Sequence, residues 1–196
     1  MELQARVRNV LTQPKAEWGV IAAEPTDIPT LYKEYIAILS AIPPLAGFIG
    51  MVLVGVTVPV LGTVRVGFAH GLATAIVQYV LGLIAVYVTA LVVDKLAPTF
   101  QSQPNLVQAL KLVAYAWTAG WVVGIVAIVP ALAPLMILGG LYGIYLFYLG
   151  VTPLMKTPAD KVIPYMVVSA VVVFIVMFVV GRVAGGLTGS VVPAGL

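Results

Sequence analysis

The side chain in the most unusual setting is Gln78, an amide in the middle of an apolar stretch that covers residues 66–93. An amide without a partner in hydrocarbon is costly, so Gln78 is expected to hydrogen-bond to a neighbouring helix. Small and polar residues recur around it at spacings of four and three, which places them on one helical face. The predicted helix-packing seam consists of Gly67, Gly71, Ala75, Gln78 and Gly82, continued by Ala85 and Thr89.

The seam fits two functions. In lipid there is little hydrophobic force between helices, so small residues that allow close backbone approach define where helices pack. The same face, with its amide, also fits the wall of a pore or of a substrate path. The sequence favours packing and leaves the pore open as the alternative.

Two prolines, Pro43 and Pro44, interrupt the first apolar stretch. Because proline lacks a backbone N–H, the pair leaves the carbonyls of Leu39 and Ser40 without helical partners. We predict a helix kink here, or a boundary where an interfacial helix turns into the membrane. Broken helices at membrane depth also form ion or substrate sites in transporters, which is the functional alternative.

Groups for catalysis or metal binding are scarce. The chain has no cysteine, and its single histidine, His70, has no second histidine or intramembrane carboxylate with which to form a site. The sequence also contains no hydrolase motif and no glycine-rich phosphate loop. His70 is therefore interpreted as an anchor or packing residue, with a proton relay or metal ligand as the alternative. We expect a protein that is not an enzyme and holds no cofactor or metal.

The composition points to a bilayer. Of the 196 residues, 62% are hydrophobic and 9% are charged, whereas a soluble domain is about 25% charged. A water-soluble fold of this length could not bury so much apolar surface, but in a membrane these side chains face lipid. The ten basic residues are scattered and lack the basic run that tracks nucleic acid, so no nucleic-acid partner is expected.

Charges divide the chain into apolar stretches, and each is long enough for the roughly 20 helical residues that cross the hydrocarbon core. The predicted fold class is all-α, a polytopic bundle of five transmembrane helices. The third begins at Asn105, which has capping-box spacing to Gln108. A re-entrant pair is the alternative for the third and fourth, because Pro130 and Pro134 lie between them. The five stretches are 35–62, 66–93, 105–129, 131–151 and 162–181.

Basic residues predict the orientation, since cytoplasmic loops are enriched in lysine and arginine. Five spans place eight of the ten basic residues and all seven acidic residues on the side of the N-terminus, leaving only Arg65 and Arg182 opposite. We expect a multi-pass cell-membrane protein with a cytoplasmic N-terminus and an outer C-terminus. Its parts are an N-terminal segment, 1–34, a transmembrane domain, 35–184, and a flexible tail, 185–196.

Two short amphipathic pieces, separated by Pro14, precede the first span. Their apolar residues follow helical spacing, and Trp18 belongs to the apolar side of the second piece. We expect both helices to lie along the cytoplasmic membrane surface, with Trp18 as an interfacial anchor in the headgroup zone. Packing of these helices on the cytoplasmic ends of the spans is the alternative.

Several stretches together carry a family resemblance. Two segments lead into the first span, LTQPKAEW and LYKEYIAILSAIPPLAGFIG; the third span opens with QALKLVAYAWTAGW; the fourth leads into the next loop as GLYGIYLFYLGVTPLMKTPADK. In order and spacing, over about residues 5–185, the chain resembles the Yip family of Ypt/Rab-interacting membrane proteins in its prokaryotic form. The resemblance implies five spans, a cytoplasmic N-terminus, no catalytic residues and a prokaryotic inner membrane.

The family's eukaryotic role, binding prenylated Rab GTPases in vesicle traffic, is not carried over. Only about 34 residues precede the first span here, and a prokaryotic cell lacks that pathway. We expect a non-enzymatic membrane protein that acts through helix packing, partner binding or membrane organisation. Its expected partners are membrane lipid and itself or another membrane protein. A small channel or transporter, possible as a homo-oligomer, is the alternative function.

Overall fold

Helices account for nearly all of the computed structural model, which describes residues 2–58 and 62–188. Five of them are long and apolar enough to cross a membrane. This confirms the predicted all-α class and the five spans. The spans are Ile28–Val54, Phe68–Phe100, Leu106–Ile128, Pro130–Met155 and Ala159–Val176.

The N-terminal segment folds into two helices, α1 over Leu3–Thr12 and α2 over Pro14–Ala23. Pro14 occupies the first turn of α2, where its missing N–H costs nothing because that group has no partner within the helix. The division at Pro14 agrees with the sequence prediction. We call α1 and α2 together the hairpin, and the end of the bundle that carries it the hairpin end.

The first span, α3, covers Ile28–Val54 and begins earlier than the sequence predicts. Asp27 caps it by accepting a hydrogen bond from the Thr30 backbone N–H at 2.8 Å, and hydrogen bonds from Thr30 hold the pKa of Asp27 below its usual value. Two turns of π-helix lie within α3. The helix ends before Gly55, whose φ of 84° is left-handed and favours glycine, so the predicted extension to residue 62 is wrong.

A short antiparallel pair of strands follows α3, β1 over Val56–Val58 and β2 over Gly62–Val64. The long helix α4 then covers Phe68–Leu96 and continues as a 3-10 turn over Ala97–Phe100. The strands thus form the connection at the end opposite the hairpin, and α4 returns the chain to the hairpin end.

The third span begins where the sequence predicts. Asn105 accepts a hydrogen bond from the Gln108 backbone N–H at 3.1 Å and so caps helix α5. Two 3-10 turns join α5 to the next helix, and both neighbours are long enough to span, so the re-entrant alternative is not what the structure shows. The remaining elements are α5 over Leu106–Val123, the turns Gly124–Ile128 and Pro130–Leu135, α6 over Met136–Met155, the turn Ala159–Lys161 and α7 over Val162–Thr188.

The central helix is α5, most of whose residues are buried. It packs closely on α6, where a Cβ at Gly139 would lie 3.0 Å from the Ala119 carbonyl oxygen, and one at Gly143 would lie 3.1 Å from that of Ala116. The helix α7 packs mainly along α4. It extends to Thr188, and most of the predicted tail, residues 189–196, lies outside the described residues.

Candidate functional sites

The hairpin is held against the spans by hydrogen bonds to two of them. The Tyr142 hydroxyl on α6 donates to the Leu11 carbonyl at 2.7 Å, and the Gln108 amide on α5 donates to the Ala22 carbonyl at 3.2 Å. Tyr142 lies 13 residues before the end of α6, about 20 Å along the helix. The turn between α1 and α2 therefore lies about 20 Å from the hairpin end of α6, so the hairpin packs along the spans.

A buried ion cluster joins the two helices of the hairpin. Arg6 is 3% exposed and donates to the Glu17 carboxylate at 2.5 Å, and its other terminal nitrogen donates to Glu24. Asn9 donates to the second Glu17 oxygen at 3.3 Å. The Arg6 guanidinium also lies over the Tyr115 ring, 5.6 Å from its centroid. Because Arg6 belongs to α1 and contacts Glu17 on α2 and Tyr115 on α5, it connects the hairpin to the central helix.

Lys111, on α5, interacts with the C-terminal end of α2. Its ammonium donates to the carbonyl of Ile21 at 2.9 Å and to that of Glu24 at 2.5 Å. The last carbonyls of a helix have no partners within it and carry partial negative charge, so a cation is favourable there. Lys111 is 3% exposed, and this capping accounts for a buried lysine in an apolar helix.

Trp18 corrects the interfacial-anchor prediction. The side chain is 2% exposed and lies between α5 and α6, edge-on to the Tyr115 ring at 6.3 Å between centroids. A Cβ at Gly150 would lie 2.7 Å from the Trp18 ring, so the glycine makes room for the indole. Trp18 therefore packs in the core of the bundle and is not exposed on its surface. The alternative interpretation, that the N-terminal helices pack on the spans, is the one that the structure shows.

A cavity of about 380 Å³ lies under the hairpin, beside the start of α3. Its wall carries charges of both signs, including Arg6, Lys33, Glu34 and Lys111. Arg6 and Lys111 are already engaged by carboxylates and carbonyls. Because positive and negative side chains both line the cavity, it favours neither anionic nor cationic ligands. We interpret it as part of the contact between the hairpin and the spans.

Four of the seven residues of the predicted seam are buried, two of them in each half of α4, and the other three are not. Gly71 and Ala75 are buried, and a Cβ at Gly71 would lie 2.4 Å from Val52 of α3. Gly67 is exposed, and a Cβ at Gly82 would meet no atom within 4 Å. Further along α4 the buried residues face α5 and α7, because α4 changes neighbours along its length. They are Ala85, Val86, Thr89, Ala90 and Val93.

Gln78 does not face a neighbouring helix of its own chain. Its side chain is exposed, and within the described parts of the chain the amide has no hydrogen-bond partner. The adjacent Tyr79 instead makes the contact with α3, donating to the Ala37 carbonyl at 2.9 Å. The prediction that Gln78 is buried in the seam is wrong for the single chain.

The predicted kink at Pro43 and Pro44 coincides with a break in the regular helix of α3, which is interrupted at Ala41. Pro43 also makes a close contact, because a Cβ at Gly124 would lie 2.6 Å from its Cγ. The prolines thus lie where α3 meets the turn that follows α5. Ser40, three residues before Pro43, has a buried hydroxyl with no hydrogen-bond partner among the described residues.

A second, larger cavity lies among α4, α5, α6 and α7 and has a volume of about 930 Å³. Its lining is almost entirely apolar and includes Trp117 and Trp121 of α5. Thr89 and Ser169 also line it, and each is 3% exposed with a hydroxyl that has no hydrogen-bond partner among the described residues. The sequence did not predict this cavity, because its lining residues come from four helices that are far apart along the chain.

The contacts described in these sites are apolar packing, hydrogen bonds and ion pairs. Across the described residues, no three histidine, aspartate or glutamate side chains come together as a metal site. The sequence also gave no sign of the Arg6 cluster, although Lys111 in an apolar helix was a signal that a buried acceptor had to lie nearby.

The fold and these sites define a class, the small polytopic helical membrane proteins with a docked N-terminal hairpin. The chain belongs to the Yip1 family, because the Yip1 domain matches residues 8–181. It is 27% identical over 150 residues to the inner membrane protein YohC of Escherichia coli strain K12, covering 75% of this chain and 77% of that protein. The YohC protein of Escherichia coli O6:H1 matches equally. No solved structure gives a significant match.

Proposed function

We propose that this Yip1-family protein is not an enzyme and acts by binding partners within the membrane, and that its first partner is a second copy of itself. The observation that carries this proposal is the unpartnered Gln78 amide on the outer face of α4. Gln78 lies about 15 Å from the start of α4 and about 27 Å from its end, well inside the roughly 30 Å hydrocarbon core.

An amide is self-complementary, since it both donates and accepts. Two copies related by a two-fold axis would bring the same face of α4 together and pair the two Gln78 side chains. Gly82, one turn further on the same face, leaves open space that allows a close approach of two helix backbones. Lipid offers no equivalent partner at this depth.

Replacing Gln78 with leucine is expected to weaken the dimer about five- to thirtyfold in membranes, the effect of about 1–2 kcal/mol of interhelical hydrogen bonding. The chain has no cysteine, so single-cysteine variants report unambiguously on proximity. Leu81→Cys, three residues from Gln78 on the same helical face, keeps the amide and should cross-link two copies in the membrane. Ile76→Cys is the matched control, because Ile76 is exposed on a different face of α4. Equal cross-linking of both variants, or none, would contradict the dimer.

The channel alternative requires a hydrated path past Gln78. In the single chain Gln78 faces outward, so such a path has to lie between two copies. A dimer cross-linked through Leu81→Cys, with Gln78 intact, that conducts no ions or solutes in liposomes would support partner binding, and one that conducts them would support the channel.

We also propose that the hairpin end faces the cytoplasm and the C-terminus lies outside. The support is the distribution of basic residues. Of the ten lysines and arginines, only Arg65 and Arg182 lie towards the end opposite the hairpin. The inner membrane location of the YohC relatives is compatible with this orientation. Reporter fusions after residue 185 should show activity outside the cytoplasm, and cytoplasmic reporter activity at that position would refute the proposed topology.

A further inference from the structure

The 930 Å³ cavity among α4, α5, α6 and α7 has the size of a ligand site, since such sites commonly measure about 300–1,000 Å³. Several of its lining residues are also exposed on the bundle surface, including Leu141, Ile144, Ile163 and Val167. The cavity therefore opens sideways between α6 and α7. All of its walls belong to membrane-spanning helices, so the opening faces the interior of the bilayer.

Two hydroxyls give the cavity a polar position. Thr89 Oγ1 and Ser169 Oγ are both buried without a partner, although burying an unpaired hydroxyl is costly. Thr89 lies seven residues before the end of α4, and Ser169 lies seven residues after the start of α7. Both are thus about 10 Å below the hairpin end of their helices. Both therefore lie in the half of the membrane at the hairpin end, between the headgroup region and the middle of the hydrocarbon core.

The apolar part of the cavity continues away from the hairpin end. Along α6 the lining extends from Tyr148 to Gly139, about 14 Å of helix. Trp121 lies deeper in the membrane than the two hydroxyls, at about 22 Å from the start of α5. Gly120 and Gly140 widen this part, since a Cβ at either would meet no atom within 4 Å.

We propose that this cavity binds one acyl chain of a membrane phospholipid. The ester carbonyl accepts hydrogen bonds from Ser169 and Thr89, and the chain runs along Trp117 and Trp121 towards Gly140. Because the hydroxyls lie in the half of the membrane at the hairpin end, the lipid belongs to the leaflet at that end. This binding is independent of the proposed contact through Gln78, which lies on a different face of α4 and does not line the cavity.

The test uses the purified full-length protein in detergent, after removal of bound lipid, and phosphatidylcholine with a dibrominated acyl chain as the probe. Bromine quenches tryptophan fluorescence at short range, and two of the three tryptophans line the cavity. Quenching should saturate at about one lipid per chain. Bromines in mid-chain should quench more strongly than bromines next to the ester, because Trp121 lies deeper than the hydroxyls.

Cavity-filling variants separate this site from ordinary contact with lipid. Gly120→Leu and Gly140→Leu should remove the saturable quenching, whereas Gly47→Leu should keep it, since Gly47 also has open space but lies on α3 away from the cavity. Ser169→Ala and Thr89→Val should each weaken binding about fivefold, as expected for one lost hydrogen bond. Non-saturable quenching, or quenching unchanged by the filling variants, overturns the proposal. So does a change of oligomeric state on filling, which would identify the cavity as a contact between copies.

Discussion

Replacement of Arg6 by alanine is expected to lower the free energy of unfolding by about 3–5 kcal/mol, the largest effect that we expect from a single side chain. Arg6 is buried with its side chain 4% exposed, and the Glu17 side chain beside it is 7% exposed. Without the guanidinium, Glu17 becomes a buried carboxylate whose remaining partner is the Asn9 amide. Thermal unfolding of the purified protein, followed by circular dichroism, measures the change.

Arg8 is the matched control, because it is also an arginine of α1, two residues after Arg6, and its side chain is exposed. Arg8→Ala should change the stability by at most about 0.5 kcal/mol. A second variant that combines Arg6→Met with Glu17→Gln removes both charges and should recover much of the loss, since the cost arises from the unpaired charge. If Arg6→Ala and Arg8→Ala unfold at the same temperature, the ion cluster does not hold the hairpin.

A second large effect is expected at Gly50, where α3 meets the turn after α5. A Cβ at this position would lie 2.1 Å from the Ala127 carbonyl oxygen and 3.1 Å from that of Ile128. Both atoms belong to the backbone, so no rotamer change can relieve the overlap. Gly50→Ala is therefore expected to destabilise the protein by about 3 kcal/mol, the upper end of the usual cost of overpacking.

Gly47 is the control for this substitution, because it lies one turn earlier on the same helix and a Cβ there would meet no atom within 4 Å. Alanine is a better helix former than glycine, so Gly47→Ala should be neutral or stabilise by up to about 1 kcal/mol. Gly50→Ala should lower the unfolding temperature, and Gly47→Ala should leave it unchanged or raise it. Equal shifts would mean that α3 and the turn after α5 are not in close contact.

Hydropathy and charge along the chain predicted the five spans, the break at Pro14 and the cap at Asn105. These features depend on residues that are near one another in sequence, and a span depends only on its own length and polarity. The start and end of α3 were less predictable. Its start depends on the Asp27 cap, and its end depends on the left-handed conformation of Gly55.

Contacts between helices could not be predicted in the same way. The spacing of small residues correctly placed Gly71 against another helix but also assigned Gln78 to that contact, because a helical face does not tell where its neighbours begin and end. Trp18 was assigned to the headgroup zone because an amphipathic helix has the same pattern whether its apolar side faces lipid or protein.

Local features of the sequence specify a helical, five-span membrane protein with two short N-terminal helices, since hydropathy, proline and capping residues act locally. The burial of the hairpin beside α5 and α6, with Arg6 and Lys111 at the contact, and the outward position of Gln78 depend on how the folded chain packs. So does the cavity that opens between four helices. Helix neighbours depend on how side chains far apart in sequence fit together in space, and in a bilayer no general hydrophobic force fixes that choice.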